Sequence, residues 1–95
     1  MEIVWRRQAE RDLEHIFGFV LQHDPAAARH LCDRIERRVG QLRDHPRMGR
    51  RGRVPGTREL IVAATPYIVA YRVAAAQIDV LAVIHAARRW PRTFD

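Results

Sequence analysis

The chain reads as an α+β domain: an N-terminal strand, an antiparallel αα-hairpin, and a mainly antiparallel β-sheet completed by a three-stranded meander. Three observations predict it. Two consecutive stretches, 8–23 and 25–44, carry apolar residues at spacings of three and four. About two residues join them, so the helices must fold back on one another. Three short β-rich stretches then follow with only tight turns between them, which makes them antiparallel neighbours. With 95 residues the expectation is one domain spanning 1–95.

Ile3-Val4-Trp5 is β-branched and aromatic, and Arg6-Arg7 mark the end of that strand. In the first helix Ala9, Leu13, Ile16, Phe17 and Val20 share one face. Asp24-Pro25 is a helix start, an N-cap acceptor followed by proline at the first helical position. Ala28, Leu31, Ile35, Val39 and Leu42 form the apolar stripe of the second helix, and Pro46 stops it.

His45 to Gly56 has the composition of a loop, with Pro46, Gly49, Gly52, Pro55 and Gly56 among its residues. The expected strands are Thr57–Ala64, Tyr67–Val73 and Ile78–His85, with Thr65-Pro66 turning the first into the second. Leu60 and Val62 point one way, and Ile61 and Ala63 the other. Both faces of the sheet centre are therefore apolar. The helix hairpin can cover one; the other needs the C-terminal tail, a partner chain or self-association.

Apolar residues make up 47% and charged residues 29%, a globular balance. No apolar run reaches the ~20 residues of a membrane span, and the N-terminus does not resemble a signal peptide, so a cytoplasmic location is expected. The net charge is +6, and every basic side chain is arginine. Residues 1–48 carry nine Arg against eight Asp/Glu; residues 49–95 carry eight against three. The positive field thus belongs to the second half and suits nucleic acid, a ribosome surface or an acidic protein.

Several chemistries are excluded or unsupported. The chain has no serine to act as a nucleophile. GRRGRVPG lacks the spacing of a phosphate-binding P-loop. The five histidines and the single Cys32 show no metal-ligand spacing, so neither metal nor cofactor is expected. Arginines with one histidine remain. Arg58, Arg72 and Arg88 could hold phosphate, with His85 as the one general acid or base. The tail AARRWPRTFD packs its aromatics on the sheet or forms a binding surface with Arg88, Arg89, Trp90 and Arg92.

The ordered set of Trp5, Ala9 and Asp12-Leu13; Pro25-Ala26-Ala27; Leu42, Pro46 and Gly49-Arg50; Gly56-Thr57-Arg58-Glu59-Leu60; Thr65-Pro66-Tyr67-Ile68-Val69; Tyr71-Arg72-Val73; and His85-Ala86-Ala87-Arg88 with Trp90-Pro91 covers nearly the whole chain. It resembles the RelE/ParE superfamily of toxins from type II toxin–antitoxin pairs, and is most similar to the ParE-like, plasmid-stabilisation branch.

The resemblance implies a toxin neutralised by a cognate antitoxin, with Leu60, Val62, Ile68 and Leu81 as candidate antitoxin contacts. ParE-like members inhibit DNA gyrase and so replication. RelE-like members cut mRNA on the ribosome without a metal. A third possibility is an inactive homologue kept as an antitoxin-binding module. The absence of lysine, and Phe94 where several ribonuclease members have tyrosine, point toward gyrase. Candidate target contacts are then Arg50, Arg51, Arg53, Arg58, Arg88, Arg89, Trp90 and Arg92. In the ribonuclease alternative His85, Arg58, Arg72 and Arg88 would be the catalytic set.

Overall fold

A computed structural model describes residues 1–94. Its elements in chain order are β1 (Glu2–Trp5), α1 (Arg7–Leu21), α2 (Pro25–Gly40) continued by a 3-10 turn (Gln41–Arg43), β2 (Arg50–Arg51), β3 (Arg58–Ile61), β4 (Tyr67–Ala74) and β5 (Gln77–His85). The strands form one sheet of order β1-β5-β4-β3-β2. β1 runs parallel to β5, and every other pairing is antiparallel. The α+β expectation holds, with two refinements. The basic loop contains a two-residue edge strand, and β3 ends at Ile61 rather than Ala64.

Local chemistry accounts for both. Arg50 pairs with Glu59 and Arg51 with Arg58, so β2 owes its register to a charge pair across the strands. β3 stops because the chain turns at once into β4. Thr65 Oγ1 donates to the Val62 carbonyl at 2.8 Å, and Ala64 adopts a left-handed φ of 63°. The Val54–Thr57 turn has Pro55 second and Gly56 third, with Gly56 at φ 80° and the Thr57 N–H reaching the Val54 carbonyl at 3.2 Å. That is a type II turn, which requires a residue tolerant of positive φ at that place.

The α2 start forms as its sequence indicates. Asp24 Oδ1 accepts the Ala27 N–H at 3.1 Å, and Pro25 opens the helix. The helix hairpin packs on the first sheet face. The core contains Ala9, Ile16, Ile35, Val39 and Leu42 from the helices, with Leu60, Val62, Val69, Tyr71, Ile78, Val80 and Val83 from the sheet. Cys32 is buried, and burial pushes its thiol up, with Glu36 and Asp33 adding to the shift. The thiolate a nucleophile needs is therefore disfavoured.

β1 covers only Gln77–Val80 of β5, leaving the rest of that edge without a strand. Asp12 fills part of the gap: its Oδ2 accepts the Val83 N–H at 2.9 Å. A short carboxylate from α1 thereby caps an edge that could otherwise template aggregation. Among the described residues no helix is long and apolar enough to cross a membrane.

Candidate functional site

β2 sorts the loop arginines by side. Successive residues of a strand point to opposite faces. Arg50 turns toward Glu59, and Arg51 toward the side where Arg58 lies.

On the first of these sides Glu59 is the organising group. It is only 3% exposed. Arg50 Nε and Nη2 donate to its Oε1 at 3.2 and 3.0 Å. The Arg53 N–H and Nε donate to its Oε2 at 2.8 and 3.1 Å. Burial pushes the carboxyl up, but the Arg53 N–H and the two guanidiniums more than offset this and hold it below the ordinary value. Arg53 also lies over the Trp90 ring, its Cζ 3.8 Å from the centroid. The cross-strand row is Glu59–Ala70–Ala82, and its two small alanines leave room above the sheet for a bulky cover. Pro91 and Phe94 lie beside Leu81, Ala82 and Ile84. The C-terminal tail is thus the cover for the second face. Burial leaves the Trp90 Nε1–H without a hydrogen-bond acceptor among the described residues.

On the other side Arg58 Nη1 donates to the carbonyls of Gly49 and Arg47 at 2.8 and 3.3 Å. Tyr71, fully buried, donates its hydroxyl to the Pro46 carbonyl at 2.8 Å and accepts the Gly49 N–H at 2.9 Å. Burial raises the Tyr71 pKa, which keeps the hydroxyl protonated and donating. β3 and β4 therefore fix the 46–49 segment. Arg47, Arg51 and Arg58 line one cavity there. Arg47 was absent from the sequence candidates because nothing local distinguishes it from any arginine following a helix.

The four residues of a ribonuclease set are not brought together. Arg72 pairs with Asp79 near the β4–β5 turn, while His85 ends β5. Six residues of strand separate Asp79 from His85, about 20 Å at ~3.4 Å per residue. Arg58 sits opposite Tyr71, itself across from Val80, about 17 Å from His85 by the same measure. Only Arg88 is near His85: its N–H donates to the His85 carbonyl at 2.9 Å. His85 Nδ1 accepts the Ala87 N–H at 3.1 Å, and its ring meets Tyr67 edge-on at 5.6 Å. Arg88, Arg89 and Arg92 are exposed.

Among the apolar candidates, Leu60 and Val62 need correcting. Each is 1% exposed and belongs to the core under the helices, so no partner reaches them in this fold. Ile68 and Leu81 lie on the second face, also buried. The exposed apolar residue there is Ile61, in the cross-strand row Ile61–Ile68–Ile84, and it is 49% exposed. The alternation placed Ile61 on this face without showing that the tail leaves it open. No group of three or more His, Cys, Asp or Glu suited to a metal occurs among the described residues.

Comparison with known proteins gives the lineage. Residues 3–90 match the family model described as "ParE toxin of type II toxin-antitoxin system, parDE". The chain belongs to the ParE toxin family. It is 39% identical to Y4kP of Sinorhizobium fredii over 95% of this chain and 93% of that protein. It is 32% identical to toxin RelE2 of Caulobacter vibrioides over 92% of this chain and 97% of that one. Among solved structures it is similar to a chain from the chromosomal ParDE toxin–antitoxin system of P. aeruginosa. The TM-score is 0.83 and identity 27%, covering 90% of this chain and 95% of that one. The protein is a RelE/ParE superfamily toxin, and its family implies an antitoxin partner.

Proposed function

We propose that this ParE-family toxin binds DNA gyrase and blocks replication, without turnover of its own, until a cognate antitoxin neutralises it. On this reading it works in the cytoplasm. The observation that carries it is the separation of Arg58 and Arg72 from His85 along the sheet. General acid–base chemistry needs the proton-transfer group within hydrogen-bond reach of the reacting atom, or one water away. A His85 base and an Arg72 phosphate clamp about 20 Å apart do not act on one phosphodiester. Target contacts then fall to exposed Arg51 with half-buried Arg58 beside the cavity, and to exposed Arg88, Arg89 and Arg92 in the tail. Arg50 and Arg53 share Glu59, Arg53 stacks on Trp90, and these residues serve the fold first. Exposed Ile61, with half-buried Ile84 in the same row, is the apolar surface offered to the antitoxin.

The test is a supercoiling assay with purified gyrase and excess toxin. Loss of supercoiling, relieved by the antitoxin, is expected. Undisturbed supercoiling with no trapped cleavage complexes would reject the reading.

A second reading, a ribosome-dependent mRNA endonuclease, draws on one local feature. His85, Tyr67, Arg88 and Arg89 line one cavity with His15. It requires discrete cuts within codons of translated mRNA after induction, abolished by His85→Ala. An inactive homologue would instead leave growth unchanged when induced without its antitoxin.

A further inference from the structure

Arg47, Arg51 and Arg58 surround a cavity of about 440 Å³ whose lining also includes Thr57 and Val73. Among the described residues no carboxylate lines it. None of the three arginines takes part in an ion pair among the described residues, whereas Arg50 and Arg53 on the opposite side share Glu59. Three like charges around one concavity raise the local positive potential, and an anion placed there relieves it.

Arg58 and the backbone that carries Arg47 are held in place before any ligand arrives. Arg58 spends Nη1 on the Arg47 and Gly49 carbonyls, which leaves Nε and Nη2 with donors to offer. The Tyr71 hydroxyl anchors Pro46 and Gly49 on either side of Arg47. A side chain at Gly52 would run into the Thr57 hydroxyl, so the 52–57 turn closes tightly only with glycine there. Binding then has to order only the exposed Arg47 and Arg51 side chains, since the backbone and Arg58 are already fixed.

The donors come from three separate segments: the stretch after α2, β2 and β3. One or two guanidinium forks saturate a flat carboxylate. Three forks arriving from different directions suit a tetrahedral group with oxygens on several sides. The volume falls within the ~300–1,000 Å³ typical of small-ligand sites, room for a phosphate with its sugar attached. We propose that this cavity is a phosphate-binding site, taking the phosphate of a nucleic-acid backbone or of a free nucleotide. The site does not depend on whether gyrase is the target, because its occupant is read on the toxin alone.

The test uses the full chain labelled with 15N, titrated at low salt with inorganic phosphate, a mononucleotide and a short DNA strand. Saturable shifts are expected at the Gly52, Gly56 and Thr57 amides. The Arg47→Gln/Arg51→Gln variant should bind at least tenfold more weakly. Arg58 is left intact because it also holds the loop. Arg29→Gln/Arg37→Gln, which removes the same charge from exposed positions on α2, should bind within twofold of the parent. The spectra themselves report whether each variant is folded. Comparable affinity for phosphate, nucleotide and DNA identifies a free phosphate as the natural source. Much tighter DNA binding identifies the backbone, with a salt slope about one to two units shallower in the Arg47/Arg51 variant. The proposal is overturned by no saturable shift at those amides, by equal weakening in the α2 variant, or by an acidic peptide binding there when phosphate does not.

Discussion

Arg50 and Arg51 are adjacent in sequence and chemically identical, yet the fold gives them opposite work. Arg50 reaches across to a buried carboxylate, and through it joins Arg53 and Trp90. Arg51 faces Arg58 and Arg47 around a cavity with no acid in its lining. One step along a strand therefore separates an ion-paired, structural cluster from an uncompensated, ligand-seeking one. Net charge alone does not make this distinction. Of the four arginines in residues 50–58, two share a single glutamate.

The severest way to break the comparison is to damage the support shared by both sides. Gly49 is that support. A Cβ there would lie 2.6 Å from the Tyr71 hydroxyl and 3.0 Å from the Glu59 carbonyl. Neither can yield, since the tyrosine is fully buried and the carbonyl is backbone. Gly49→Ala should cost about 3 kcal/mol or more, at the upper end of overpacking penalties. Urea unfolding measures it. A cost under about 1 kcal/mol would mean that the loop is not pinned as described.

Glu59→Gln attacks one side only. It removes the charge that receives four of the hydrogen bonds described above and leaves two guanidiniums uncompensated. A loss of about 1–3 kcal/mol is expected, moderated by the partial exposure of both arginines. Anion binding at the Arg47–Arg51–Arg58 cavity should persist in this variant at a temperature where it remains folded.

Acid titrates the same cluster without mutation. The folded pKa of Glu59 lies below its ordinary 4.5, so its contribution is fully present above pH 4.5. That contribution is lost as pH falls through the lower folded value. Glu59→Gln should flatten this acid limb of the stability profile, and an unchanged limb would assign it to other carboxylates.

Much of the fold was legible because the signals were local. Asp24-Pro25 announced the α2 start, the prolines and glycines of 45–56 the loop, Thr65-Pro66 the turn into β4, and the two apolar periodicities the hairpin and its core face. What escaped depends on distant partners. Arg50-Arg51 has little β preference of its own and becomes a strand only through Glu59 and Arg58. Nothing near Asp12 in the sequence shows that its carboxylate caps the Val83 N–H on β5. The apolar second face was legible, and the tail was one of three covers the sequence left open; the stacking of Trp90 under Arg53 and the place of Pro91 and Phe94 beside Leu81 and Ala82 decide for it. The candidate site was legible as a set of arginines. Which of them are free was decided by a register that no single stretch encodes.

The most direct measurement sets the two neighbours against each other by thermal unfolding of Arg50→Gln and Arg51→Gln. A loss of 1 kcal/mol lowers Tm by about 4–8 °C in a domain of this size. Arg50→Gln, which forfeits two charged hydrogen bonds to a buried carboxylate, should fall by that order. Arg51→Gln, exposed and unpaired, should stay within about 2 °C, in keeping with ordinary surface substitutions. Equal shifts, or a larger fall for Arg51→Gln, would contradict the division of the basic strand into a structural side and a binding side.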